Sequence, residues 1–176
     1  MPHPLALANA AYLAQGARLL RGLDDAQYRA SAPPLYPSGV GGHFRHCLEH
    51  VQLLLAAAGT SRLDYDQRQR DLHLETDRGA AIHLAERLIQ GLEGLTDAQI
   101  ATPIEVRMDC GDGQRAAALW MPSSLGRELQ FMVSHTTHHY ALMAMILRHQ
   151  GLEPGPDFGV ASSTLLHRRG LAAAGA

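Results

Sequence analysis

Lysine is missing altogether, and all 15 cationic side chains are arginine. No mechanism that needs a Schiff-base lysine or a phosphate-loop lysine can therefore run on this chain's own residues. Cysteine occurs only as Cys47 and Cys110. Two residues make no disulfide framework, so reduced thiols in a cytoplasmic setting are expected. Long apolar runs are also lacking, since none approaches the ~20 residues of a membrane span. The opening MPHPLALANAAYLAQGARLL is apolar and holds Ala8-Asn9-Ala10. No Lys or Arg precedes its apolar run, and it continues into an amphipathic pattern, so export is not expected. Charge of one sign is scarce too, with a formal net charge of −2. Without a basic run or basic-aromatic interleaving, neither nucleic acid nor an anionic membrane is an expected partner.

What remains is a 176-residue chain, 46% apolar and 18% charged, the composition of one soluble globular domain. The expected domain covers 1–176, with a loose tail from about residue 170. Histidine is the outlier: of 11 copies, His43, His46 and His50 form one cluster, and His135, His138 and His139 another.

Apolar residues recur at helical spacing over residues 4–22, which predicts a first helix. Pro33, Pro34 and Pro37 mark a loop. Gly41 and Gly42 lead into a second helix that runs to about Ala58, with Gly59 and Thr60 stopping it. The polar stretch 61–77 reads as a long surface crossing, and 77–92 as a third helix. Ile104, Val106 and Met108 alternate with charged residues, Asp112-Gly113 is a turn signal, and 116–121 returns, which together predict a small hairpin. Ser123 or Ser124 caps a last helix ending near Gln150. The predicted class is all-α: a four-helix bundle with a long crossover loop and a small β-hairpin before the last helix. Bundles of this kind build metal sites from side chains on facing helices.

On a wheel of about 100° per residue, His135 and His139 fall about 40° apart. Glu128, Phe131, Met132, Leu142, Met143 and Ile146 share their stripe, which places the pair in the middle of the buried face. Ala144 falls on the opposite side, and His138 on the shoulder. Two buried imidazoles one turn apart are either joined by a shared metal or satisfied separately by carbonyls and water. On the second helix Cys47, Val51, Leu54 and Ala58 mark the core face. His46, His50, Leu53 and Ala57 line its edge, while Arg45 and Glu49 point to solvent. His46-Cys47-Leu48-Glu49-His50 spells the inverted zinc-protease signature H-x-x-E-H. An outward Glu49 speaks against that use. One ligand from this edge and two from the last helix would make a three-nitrogen site with open positions, as catalytic zinc sites have.

The segments VGGHFRHCLEH, DYDQRQRD and RELQFMVSHTTHHYALMAMIL resemble the DinB-like (DinB/YfiT) superfamily of four-helix bundles over most of the chain. The resemblance implies three histidines holding a divalent ion, zinc, nickel or iron, and by position these are His46, His135 and His139. His43, His50 and His138 are extra, and His50 could stand in for His46. It also implies a metal-dependent enzyme, either a transferase using a low-molecular-weight thiol or a hydrolase. The candidate catalytic groups are Glu128, His50 and Asp157. Tyr65, Arg68, Arg70 and Asp71 form a polar loop that either binds a substrate carboxylate or is simply solvated. Expected partners are a small-molecule substrate, with a low-molecular-weight thiol among the candidates, and as oligomeric form a homodimer is allowed. The alternative is a non-catalytic, metal-stabilised bundle acting through dimerisation or protein partners.

Overall fold

The computed structural model describes residues 2–109 and 119–174. Four long helices carry the architecture: α1 (Pro4–Arg21), α3 (Val40–Thr60), α5 (Arg78–Glu93) and α7 (Leu125–His149). Shorter helices α2 (Asp25–Arg29), α4 (Leu72–Thr76) and α6 (Asp97–Ile100) sit in the connections, and α8 (Ser162–Ala174) follows α7. Strands β1 (Arg62–Asp64), β2 (Pro103–Arg107) and β3 (Met121–Ser124) form one sheet in that order. β1 runs parallel to β2 with Leu63 opposite Val106, and β3 runs antiparallel to it with Pro122 opposite Glu105. Among the described residues no helix is long and apolar enough to cross a membrane.

The helix starts follow local chemistry. Asp77 accepts the Ala80 amide at the head of α5, and Ser124 accepts the Arg127 amide at the head of α7. Each satisfies a backbone donor that the first turn leaves unpaired. α1 packs against α5 and α7, and α3 packs against α7 and α5. Leu13, Leu20, Phe44, Leu48, Leu129 and Tyr140 are among the fully buried side chains between them.

Several expectations need correcting. α3 begins at Val40, so Gly41 lies inside the helix rather than before it. A Cβ there would stand 2.2 Å from the Glu75 carbonyl oxygen, so glycine is what admits the chain so close. α3 also runs through Gly59 and Thr60, and ends at Ser61 in the left-handed region. Ala57 rather than Ala58 is fully buried, and Ala144 is buried rather than outward. The crossing over 61–77 contains β1 and α4, and it buries Leu63, Tyr65 and Leu74. The return strand is Met121–Ser124. The Asp112-Gly113 turn and the first residues of the expected return strand, 116–118, lie outside the described residues, as does Cys110. α8 extends through Ala174 and is mostly exposed, while the end of the expected loose tail, 175–176, lies outside the described residues. Before α8, Phe158 is buried and stacked on Tyr140 at 4.7 Å.

Gly16 sets the distance between α1 and the α3–α7 pair. A Cβ at Gly16 would fall 2.2 Å from Tyr140 Oη and 2.4 Å from Phe44 Cε2. Tyr140 in turn donates its hydroxyl to the Tyr12 carbonyl at 2.7 Å. Gly→Ala inside a helix ordinarily stabilises by up to ~1 kcal/mol. Gly16→Ala should instead destabilise by about 1–3 kcal/mol through overpacking, read as a lower midpoint in thermal unfolding. A midpoint unchanged or raised would contradict this packing.

Candidate metal centre

The two histidine clusters meet where α3 and α7 lie side by side. His43 faces His139, His46 faces both His135 and His139, and His50 faces His135. Rising numbers on one helix meet falling numbers on the other, so the helices run antiparallel. Nitrogens of His46, His50 and His135 all lie within 4.8 Å of one another. His139 is not one of those three, but its ring centroid is 4.4 Å from that of His46 and 4.7 Å from that of His135. His138 is exposed, its ring edge-on to His139. His135 and His139 are half-buried, with Met132, Thr136, Tyr140 and Met143 forming the buried stripe beside them. The pair therefore sits at the edge of the core face and not in its middle. Thr136, polar and yet buried, lies nearer the centre of that face.

The hydrogen-bond pattern fixes most of the ring protons. A guanidinium only donates, and Arg68 NH1 lies 3.0 Å from His46 Nδ1 and 3.2 Å from His50 Nε2. Both nitrogens therefore present lone pairs. His50 keeps its proton on Nδ1 and donates it to the His46 carbonyl at 2.8 Å. His46 then carries its proton on Nε2, 3.0 Å from His135 Nε2. That leaves the His135 proton on Nδ1, which is buried with no partner. On the far side His139 Nδ1 is tied to His43 Nδ1 at 3.1 Å, the kind of support that orients a metal-ligating imidazole. The set is rich in nitrogen lone pairs, already draws in one cation, and leaves one ring nitrogen unsatisfied. Such a donor set fits a divalent metal ion.

All four imidazoles of the cluster stay neutral at neutral pH. Burial pushes His46 down to about 2, reinforced by His50, His139 and Arg68. His135 and His139 are each pushed down to about 3, again first by burial. Burial takes His50 to about 4, against the opposing pull of its bond to the His46 backbone. An unfolded histidine titrates near 6.5, so below that pH the unfolded chain takes up protons the native cluster refuses. Stability is then fully present above about pH 6.5 and falls as pH drops towards the native values. Chelator-treated protein should accordingly melt at a lower temperature at pH 5 than at pH 7. His43, His138 and Arg68 face the same rings and add to the penalty for charging them. Equal melting temperatures at the two values would show that these rings are not held neutral.

The surroundings correct two assignments. Glu49 is only 3% exposed. Its Oε1 accepts the Asp71 amide at 2.7 Å, and its Oε2 takes the Arg45 guanidinium at 3.1 Å. Both oxygens are occupied away from the histidines, so Glu49 is neither solvated nor a base at this site. Glu128 is buried as well, and it meets no histidine. It accepts Tyr65 Oη at 2.8 Å and Ser123 Oγ at 2.6 Å. Tyr65 lies flat against His50 at 5.2 Å, with its phenol pushed well above the ordinary value by burial and by the Glu128 charge. Glu128 thus acts on the site through the Tyr65 ring. Asp157 borders a cleft with Gln15 and Arg18 of α1, whereas the histidines lie between α3 and α7. Cys47 is fully buried.

Sequence reasoning leaves open whether His50 replaces or supports His46, and it does not foresee that Arg68 reaches the histidines or that His43 holds His139. The one available signal is the alternation of Leu63 and Tyr65 with Arg62, Asp64 and Asp66, a strand pattern inside the polar crossing. Because Glu49 fastens that crossing to α3, Glu49→Ala should cost about 1–3 kcal/mol, by leaving the Asp71 amide and part of Arg45 unpaired. The readout is the denaturant midpoint of the metal-free protein. A variant as stable as the wild type would show this buried carboxylate to be dispensable.

Comparison with known proteins agrees with the geometry. A sequence model of the DinB superfamily matches residues 14–143, a span that includes the facing histidines and Arg68. The chain is 34% identical over 107 residues to a protein named FK506-binding protein 5 from Rhizopus delemar. That alignment covers 60% of this chain and 27% of the fungal protein, so the chain spans about a quarter of that relative's length. No solved structure matches significantly.

Proposed function

Starting from the fact that the chain belongs to the DinB superfamily, we propose that it is a metal-dependent enzyme acting on a small molecule, either a low-molecular-weight thiol transferase or a hydrolase. The observation that carries this reading is the pair His46 Nε2 and His135 Nε2, 3.0 Å apart across two helices. The four long helices are taken as a four-helix bundle, a fold that supplies ligands from facing helices. His46, His135 and His139 would hold the ion, one from α3 and two from α7. Bound there, a zinc, nickel or iron ion supplies Lewis acidity, which favours a deprotonated water or thiol at neutral pH. The chain's own residues do the rest. His43 orients His139, the His46 carbonyl fixes the tautomer of His50, and Tyr65, held by Glu128, packs against the His50 ring. Half-burial of His135 and His139 leaves this edge accessible to a small substrate.

A second ligand assignment has its own observation, the tight nitrogen grouping of His46, His50 and His135. Substitution separates the two. His46→Ala and His135→Ala should each weaken zinc binding by more than the roughly 10–100-fold that loss of a supporting partner costs. His139→Ala should match them, while His50→Ala and His43→Ala should stay within that smaller range. Competition with a chromophoric chelator, on protein purified without a histidine tag, gives the affinities. A His50→Ala loss as large as that of His46→Ala, with His139→Ala mild, would install His50 as the third ligand. Full zinc binding in the His46→Ala, His135→Ala double variant would defeat the site. A thiol-conjugation screen and an ester-hydrolysis screen of the metal-loaded protein then separate the two reactions, and inactivity in both favours the non-catalytic bundle.

A further inference from the structure

Arg68 is in an unusual position for a cation. Its NH1 group lies 3.0 Å from His46 Nδ1 and 3.2 Å from His50 Nε2, inside the cluster that would hold a metal. Among the described residues it makes no ion pair: Glu49 and Asp66 attract it only from further off, and Glu49 is held by Arg45 and the Asp71 amide. Its Nε is buried and without a partner. A guanidinium offers a planar fork of donors matched to a carboxylate or a similar oxyanion, and here that fork is half used, on neutral imidazoles.

The imidazoles bring no negative charge, and the two buried carboxylates nearby, Glu49 and Glu128, are already hydrogen-bonded on both oxygens. A divalent cation on His46 Nε2 needs a lone pair there, which moves the His46 proton to Nδ1, the nitrogen that Arg68 now occupies. A guanidinium cannot donate to a protonated nitrogen, so it must leave, with its donors unsatisfied beside a second positive charge. An anionic ligand group answers both needs at once.

Resting on the metal reading above, we propose that Arg68 competes with the metal ion for His46 and, once displaced, binds an oxyanion of the ligand, so that the site takes anionic, carboxylate-type substrates. Arg68 is then a binding residue whose engagement with the ligand depends on the metal. Metal and anion reinforce each other by linkage, since each removes an obstacle to the other.

The test is a two-by-two titration of full-length wild type and Arg68→Gln with zinc, with and without acetate as a carboxylate probe at constant ionic strength. Arg68→Ala serves as a repeat, and circular dichroism verifies that both variants are helical. Without acetate, Arg68→Gln should bind zinc about tenfold or more tightly, because the charged hydrogen bonds that zinc must break are gone. Acetate should tighten zinc binding to the wild type and lose most of that effect in Arg68→Gln. Zinc binding no tighter in either variant would overturn the competition. An acetate effect of equal size in wild type and variants would overturn the anion role. Failure of zinc to bind wild type and variants alike would instead sink the metal reading, and this inference with it.

Discussion

Everything at this site depends on how closely α3 and α7 approach. Imidazoles 3.0 Å apart across a helix pair are held there by the seam beneath them. Phe44 follows His43 in sequence and Tyr140 follows His139, and their rings lie 6.4 Å apart, both fully buried. The core residue and its neighbour lie about 100° apart on the helix, so one enters the apolar interior and the other reaches the histidine cluster at its edge. Gly16 of α1 gives both aromatic rings their space. Burial of the seam supplies the free energy, and the histidines are carried along into contacts that neutral rings accept and charged rings would resist.

The small sheet acts at second hand. Its pairing fixes β1, and the chain leaving β1 is tied again where the Tyr65 amide donates to the Arg107 carbonyl at 3.0 Å. Asp66 receives the Asp109 amide at 2.7 Å, and Glu49 receives that of Asp71. The loop is therefore fastened at both ends, to the sheet and to α3, with Arg68 at its middle. That is why Arg68 reaches a cluster formed by distant parts of the chain. Without such anchoring a long arginine side chain on a polar loop would lose ~2 kcal/mol of rotamer entropy in ordering itself, and it would sit in solvent.

The long helices are legible in the sequence because their apolar period is strong, and the spacing of His135 and His139 marks one helical face. The edge carrying His46 and His50 is legible for the same reason. Less visible is anything that depends on a second segment lying over a helix. Glu49 reads as solvated on a wheel, since the wheel cannot know that residues 66–71 cover that side of α3. His135 and His139 read as the middle of the buried face, although buried Thr136 and Tyr140 beside them place the pair at its edge. Gly41 reads as a helix boundary, when its real role is close packing against the Glu75 backbone. Each of these turns on tertiary contact, which overrides local pattern.

The same contacts decide how the H-x-x-E-H segment is used. An inverted protease arrangement needs both histidines and the glutamate around one ion. Here His46 and His50 turn towards α7, while Glu49 turns to the crossing loop and is consumed there as a structural acceptor. The motif is split between two jobs: its histidines meet the last helix, and its carboxylate anchors the loop that carries Arg68. A five-residue pattern on a helix spans more than one turn, so its members need not share a face. What joins them is indirect, because Glu49 places the loop, the loop places Arg68, and Arg68 returns to the lone pairs of His46 and His50. The segment thus helps to build the histidine cluster from two directions, through its rings and through the loop its carboxylate holds.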